Sequence, residues 1–238
     1  MYLLSTLKPI ASIPTINNER GVGAISYDKD KFVLATLDTS PGHIRIENFY
    51  LNEVKRGFMH ENPISHITLD FQGNIGASAS EHGTVIRVFD CMTLQVLHEL
   101  RRGTSPAQVS CIAFSPEGTY VLSASNRPTI HIWNLKQKSE GMMSGLMKSY
   151  LPTYFNYDRS YAQLVLNTDV KWTCPQTIAV GPIACFIDES FFYVANLDGL
   201  LYRCKINSDS VTIEGTTPIL DFEGQTVIEG DRHWSSFD

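Results

Sequence analysis

The chain has 238 residues, of which 43% are hydrophobic and 18% are charged, so it can bury a sizeable core and is expected to fold. Its formal net charge of -6 excludes a general nucleic-acid binder, because such proteins neutralise many phosphates with many Lys and Arg side chains. Binding of phosphate must therefore be local. No stretch reaches membrane-spanning length, so contact with a membrane is expected to be peripheral.

The predicted strands follow a repeat of 45 residues in the chain. This offset places Ser80 on Ser125, Gly73 on Gly118 and Thr84 on Thr129. Periods of roughly 40 to 45 residues with four short strands each are typical of propeller blades. Weaker copies flank the pair, which gives about four blades near 18–58, 59–100, 106–166 and 180–220. The sequence therefore predicts an all-β, WD40-type β-propeller that forms one partial domain over residues 1–238.

A long segment at 136–159 interrupts the third predicted blade. It exceeds the 2 to 5 residues of an ordinary hairpin connection, and loops of this length are usually functional or disordered. Its apolar residues recur partly at helical spacing, which is consistent with a short amphipathic helix. These side chains could contact a membrane, and the alternative is that they belong to the core. These residues are Met142, Met143, Leu146, Met147, Tyr150 and Leu151. An acidic tail, 221–238, ends the chain.

The widely separated cysteines include no CxxC pair, and we expect them to be reduced core residues of a cytosolic protein. The sequence contains no nucleophile motif, no metal-spaced His/Cys cluster and no Gly-rich phosphate loop before a helix. It therefore predicts neither an enzyme nor a bound cofactor or metal.

Two adjacent arginines, Arg101 and Arg102, end a predicted strand. Neighbouring side chains of an extended strand point to opposite sides, so the two guanidinium groups should serve two separate pockets. The planar fork of arginine matches phosphate oxygens, and each group could bind a phosphate bidentately. The alternative is a pair of solvated surface arginines.

These motifs, in this order and spacing, resemble the PROPPIN family. The resemblance rests on residues 79–89, 99–104 and 129–133, and the stretch 150–155 is similar to the WIPI subgroup of animals. PROPPINs are seven-bladed propellers that bind phosphatidylinositol 3-phosphate and phosphatidylinositol 3,5-bisphosphate during autophagy. The resemblance makes 136–159 a membrane-inserting loop.

The resemblance also implies two phosphoinositide pockets. The first comprises His60, Ser80, Thr84, Arg87 and Arg101. The second comprises Arg102, Ser125, Thr129 and His131, with Arg127 as a further cation. For each Ser or Thr the alternative is a residue that closes a turn, and for each His it is a structural residue of the strand.

The chain departs from the family in three respects. His82 stands where the family commonly has Lys. Pro128 stands where the family usually has Gly. The family's first three blades are missing, and residues 1–7 resemble the last strand of the third. Because the docking surface for the autophagy lipid-transfer protein lies largely on those early blades, the resemblance supports other autophagy proteins as partners rather than that one.

The leading hypothesis is a cytoplasmic effector that docks peripherally on phagophore or pre-autophagosomal, endosomal, or vacuolar/lysosomal membranes through phosphatidylinositol 3-phosphate or phosphatidylinositol 3,5-bisphosphate. Two pockets and a loop acting on one membrane would bind multivalently. The alternative is a WD-repeat protein-interaction scaffold that has lost lipid binding through truncation.

Overall fold

The computed structural model describes residues 1–3, 5–137, 158–166, 181–208 and 210–219, and its regular elements are strands in four sheets. The first sheet contains β1 (Gly23–Ile25), β2 (Val33–Leu37), β3 (His43–Asn48) and β4 (Glu53–Phe58). The second contains β5 (Ile64–Leu69), β6 (Ile75–Ser80), β7 (Val85–Asp90) and β8 (Val96–Arg101). The third contains β9 (Val109–Phe114), β10 (Tyr120–Ser125), β11 (Thr129–Asn134) and β12 (Ala162–Val165). The fourth contains β13 (Ile183–Phe186), β14 (Phe191–Ala195), β15 (Leu200–Ile206) and β16 (Val211–Pro218).

Each sheet is an antiparallel meander in which every strand pairs with the next in the chain. The first strands of neighbouring sheets contact one another, so β1, β5, β9 and β13 form the inner row. Four such sheets packed face to face in chain order are four blades of a β-propeller. The prediction of an all-β propeller with about four blades is thus confirmed.

The core consists of three layers between neighbouring blades. Phe89 is fully buried between the first and second blades, and Trp133 is 1% exposed between the second and third. Gly76 makes room for Phe89, because a Cβ at that position would lie 2.5 Å from Cζ of the ring. Burial of one large apolar side chain contributes about 1.5–3 kcal/mol, so these aromatic residues at strand ends help to hold adjacent blades together. The layer between the third and fourth blades contains Phe192.

The outer edge of the second blade carries an additional short pairing. Asp158 forms a parallel bridge with Leu100, and its carbonyl oxygen accepts a hydrogen bond from the backbone N–H of Arg101 at 2.9 Å. Asp158 also lies 3.1 Å from His98, between carboxylate and imidazole. The chain therefore returns to the second blade before it forms β12.

Several predictions fall on residues that the structure does not describe. They include the six apolar residues of the 136–159 loop and the acidic tail 221–238. Of the cysteines, Cys91, Cys111 and Cys204 are buried and Cys185 is exposed, while Cys174 lies outside the described residues. The predicted core position is wrong for Cys185, because it lies on the face of β13 that does not pack on the third blade.

Candidate functional site

The predicted site residues lie along one edge of the blades, which we call the site edge. It consists of the turns between second and third strands (38–42, 81–84 and 126–128) and the linkers to the next blade (59–63 and 102–108). Gly83 has φ +59°, and a Cβ there would lie well inside 3.0 Å of the carbonyl oxygen of Ala107. A non-glycine side chain is strained at this φ and blocked by the linker, so glycine lets the turn pack against it.

Side chains alternate across the second blade at this edge. Arg87 pairs with Glu99 and Val85 with Arg101, so these four residues share the face directed towards the first blade. Leu100 is buried in the layer shared with the third blade, on the opposite face. Arg101, which is half-buried, and Arg102 thus serve different gaps between blades.

The gap between the first and second blades contains a buried histidine and an arginine. His60 is 4% exposed and shares a hydrogen bond of 3.0 Å between Nε2 and Oγ of Ser78. Burial, together with the charge of nearby Arg87, lowers the pKa of His60 to about 4, so the imidazole is neutral near pH 7. Arg87 donates from Nη1 to the carbonyl oxygen of Met59, next to His60.

The same gap contains an acid that the sequence did not single out. Nε of Arg87 donates to Oε1 of Glu99 at 2.7 Å, and the two residues face each other across β7 and β8. Of the other predicted members, Ser80 is 6% exposed at the end of β6, and Thr84 is half-buried in the turn that follows. The charge of Arg87 is therefore already partly balanced within this first site.

The gap between the second and third blades holds two arginines close together. Arg102 is 7% exposed, and its Nε donates to the carbonyl oxygen of Gly83 at 2.5 Å, while Nη2 donates to the carbonyl of Ser105. Arg127 is exposed on the facing turn and donates to the carbonyl oxygen of Pro106 at 3.4 Å. Burial and the positive charge of Arg127 lower the pKa of Arg102. Carbonyl groups position these arginines without neutralising them.

His131 completes this second site. It is 7% exposed and stacks on Trp133, with ring centroids 5.7 Å apart. Burial, and then the charge of Arg102, lower the pKa of His131 to about 4. Its Nδ1 and Oγ of Ser123, which is its cross-strand partner, are buried and have no hydrogen-bond partner among the described residues. Buried polar groups normally have a hydrogen-bond partner, so these two atoms are candidates for contacts with a polar ligand or an ordered water.

The remaining members of the second site lie in the turn. Ser125 is fully buried, and its Oγ accepts a hydrogen bond from the backbone N–H of Arg127 at 3.3 Å, which is a turn-closing contact. Thr129 begins β11 and is half-buried. The sequence missed Ser123, although its position two residues before Ser125 on a strand indicates the same face.

The repeat offset needs one correction at the site edge. The backbone N–H of Arg102 donates to Thr84 O, and the equivalent bond of the third blade runs from Leu166 to Pro128 O. Pro128 therefore corresponds to Thr84, and Thr129 to Val85, so pairing Thr84 with Thr129 was wrong. The physical reason is a turn that is one residue shorter in the third blade. By the same register His131 corresponds to Arg87, since each lies opposite the serine two residues from its strand end.

A separate cavity of about 190 Å³ lies at the same edge, between the N-terminal segment and the first two blades. Its lining includes Arg20 and Glu81, whose charged groups are 3.8 Å apart. Within the described part of the chain, no cluster of His, Cys, Asp and Glu could hold a metal ion. No helix in those ranges is long and apolar enough to cross a bilayer.

Four meander blades with basic side chains in the gaps between them define this chain as a WD-type β-propeller. A family model described as PROPPIN matches residues 1–168, and the chain belongs to the PROPPIN family.

Individual relatives agree with this assignment. The chain is 28% identical over 212 residues to Autophagy-related protein 18e of Arabidopsis thaliana, which covers 87% of this chain and 54% of that protein. It is 33% identical over 187 residues to WD repeat domain phosphoinositide-interacting protein 1 of Homo sapiens, which covers 70% of this chain and 41% of that protein. The chain thus spans about half the length of the curated relatives it matches.

Solved structures share the fold. Hsv2 of Kluyveromyces lactis superposes with a TM-score of 0.64 at 18% sequence identity, over 82% of this chain and 62% of that one. At this identity the likeness concerns the fold alone.

Proposed function

We propose that this chain is an autophagy-related phosphoinositide effector that docks on membranes from the cytoplasm through phosphatidylinositol 3-phosphate or phosphatidylinositol 3,5-bisphosphate. The observation that carries the proposal is the second site. There the charge of Arg127 acts on Arg102 and the charge of Arg102 acts on His131, whose Nδ1 has no hydrogen-bond partner among the described residues. The same holds for Oγ of Ser123, the cross-strand partner of His131. Like charges held together in a partly buried gap favour an anion between them.

The chemistry of the second site fits a phosphate monoester. Arginine has five N–H donors, and the two carbonyl bonds of Arg102 use two of them, which leaves three for phosphate oxygens. Arg127, which is exposed, can supply a further charge-assisted hydrogen bond. The neutral imidazole of His131 can donate one more from Nδ1 in the appropriate tautomer.

The first site would bind a second headgroup through Arg87 and Arg101, with His60, Ser80 and Thr84 around them. Two sites on one edge bind a membrane multivalently, so neither needs high affinity alone. The apolar residues of the 136–159 loop would add contacts at the bilayer interface. The names of the curated relatives, which refer to autophagy and to phosphoinositides, support this assignment. We infer the membranes of the autophagy pathway as the site of action, with phagophore, endosomal and vacuolar or lysosomal membranes as the candidates.

Vesicle flotation tests the proposal with a variant that spares the fold. Arg102→Ala would remove the carbonyl bonds that tie the turn to the linker, so Arg127→Gln is the cleaner change because that side chain is exposed. The control is Lys29→Gln, which removes one positive charge from an exposed turn at the opposite edge of the first blade. Both are mixed with vesicles containing phosphatidylinositol 3-phosphate and with vesicles lacking it.

We expect Arg127→Gln to lower the bound fraction of protein by roughly three- to tenfold, because one charge-assisted hydrogen bond to phosphate is lost. Lys29→Gln should float as the wild type does. Equal flotation of the two variants, or no flotation of the wild type, would refute the proposal. Protein partners captured without lipid would then favour the protein-interaction scaffold.

A further inference from the structure

We propose that Glu99 is an internal competitor for the headgroup phosphate, and that its contact with Arg87 restrains lipid binding at the first site. The proposal rests on the proposed function and adds a regulatory element to it. Removal of the Glu99 charge should therefore strengthen binding, whereas removal of an ordinary structural partner should weaken it.

The contact between the two residues places a carboxylate where a phosphate would bind. Oε1 of Glu99 accepts from Nε of Arg87 at 2.7 Å, and Nη1 of the same guanidinium donates to the Met59 carbonyl. Carboxylate and phosphate are the two anions that match the planar fork of arginine. If a phosphate displaces Glu99, the carboxylate opposes binding because it occupies a donor of Arg87. If the phosphate approaches beside Glu99, the carboxylate opposes binding through like-charge repulsion.

The exposure of the pair makes an exchange of anions feasible. The side chains of Arg87 and Glu99 are 26% and 35% exposed, so both reach solvent at the edge of the gap. Ion pairs of this kind contribute little to stability, because water already solvates the separated charges well. A headgroup phosphate can thus replace Glu99 at small cost, and the released carboxylate regains its hydration.

The second site, between the second and third blades, shows what a site without such an acid looks like in the same molecule. His131 occupies the position that corresponds to Arg87, and burial lowers its pKa to about 4, so it is neutral near pH 7. Its neighbour on β12, at the position that corresponds to Glu99, is Gln163, which carries no charge. Within the described ranges, the Arg102 and Arg127 side chains donate to backbone carbonyls, which carry no net charge. The first site therefore contains an acid, Glu99, and the second site does not contain one among the described residues.

A second acid near the first site is already balanced. Glu81 lies in the turn after Ser80, and its carboxylate is 3.8 Å from the guanidinium of Arg20. Both side chains are more exposed than the Arg87–Glu99 pair, at 53% and 42%, so water screens their charges more strongly. The restraint on Arg87 is accordingly assigned to Glu99.

The test uses Glu99→Gln, which keeps an oxygen acceptor for Nε of Arg87 and removes only the charge. The matched control is Glu53→Gln, which makes the same change in an exposed carboxylate paired with Lys55 at 3.4 Å. Glu53 begins β4, whereas the site edge adjoins its other end at Phe58, roughly 16 Å away at 3.3 Å per residue. Affinity for vesicles containing phosphatidylinositol 3-phosphate is measured for each, in the wild-type and Arg87→Gln backgrounds, below the thermal midpoint of every variant.

We expect Glu99→Gln to bind roughly two- to fivefold more tightly than the wild type, in line with the modest strength of half-exposed ion pairs. Glu53→Gln should bind as the wild type does, and the gain should vanish in the Arg87→Gln background. A structural role for Glu99 would not produce a gain that depends on Arg87.

Two results would overturn the proposal. Equal or weaker binding by Glu99→Gln, with Arg127→Gln still impaired, rejects the competitor role and leaves the proposed function standing. Failure of the wild type and of Glu99→Gln to bind vesicles rejects both.

Discussion

Gly83→Ala tests the packing of the site edge most directly. Gly83 has φ +59°, which costs a non-glycine residue about 1–2 kcal/mol, and the added Cβ would meet the carbonyl oxygen of Ala107 at less than 3.0 Å. Forcing an extra carbon into a packed region costs about 1–3 kcal/mol more. We therefore expect the free energy of unfolding to fall by about 2–5 kcal/mol. For a chain of this size the thermal midpoint would fall by roughly 4–20 °C.

The matched control is Gly103→Ala, because an added Cβ at Gly103 has no atom within 4 Å. It should stay within about 0.5 kcal/mol of the wild type, as surface substitutions usually do. Urea unfolding followed by tryptophan fluorescence compares the two variants. The Gly83 carbonyl also accepts from Nε of Arg102, so Gly83→Ala should reduce vesicle binding as well. If the two alanine variants unfold at the same urea concentration, the close packing of turn on linker is not what stabilises this edge.

Two further predictions concern titration and reactivity. Burial lowers the pKa of three histidines, His60, His66 and His131, to about 4, below the 6.5 of an exposed imidazole. Between pH 6.5 and 4 the unfolded chain then binds more protons than the folded one. The free energy of unfolding should therefore be complete above pH 6.5 and fall as the pH drops towards 4, by up to about 3 kcal/mol for each histidine. Urea midpoints measured across this pH range check the prediction, and a flat profile would contradict it. Among the described cysteines, the exposed Cys185 should react with a thiol reagent far faster than the buried Cys204, because burial raises the pKa of Cys204 to about 12. Mass spectrometry of briefly alkylated protein identifies the labelled sites, and equal labelling of the two cysteines would contradict the burial.

The fold was largely predictable because blade packing leaves a regular pattern in the chain. Strands that are buried on both faces are rich in β-branched and small residues, as in β6, where the consecutive residues Ala77, Ser78 and Ala79 are fully buried. The glycine turns and the aromatic strand ends repeat with them. These features depend on local sequence, so aligning the sequence with itself at a fixed offset reveals them.

The details of the site were less predictable because they depend on register. A comparison without gaps placed Thr84 on Thr129, since like residues then coincide, whereas the hydrogen bonds place Pro128 opposite Thr84. The pairing of Glu99 with Arg87 joins residues 12 apart through a bulged β7–β8 ladder, and no local pattern specifies it. The bridge from Asp158 to Leu100 connects the third blade to the second over a longer separation still.

The correspondence of Arg87 and His131 has a consequence for the descent of this repeat. Each residue stands two places before the aromatic residue that is second from the end of its strand, Phe89 in one blade and Trp133 in the next. The two blades share the backbone position, but one carries a permanent cation there and the other a neutral ring. Selection can thus change the charge of one gap while the spacing between gaps stays constant. In other copies of this repeat, the identity of that single residue should indicate whether a neighbouring carboxylate is present.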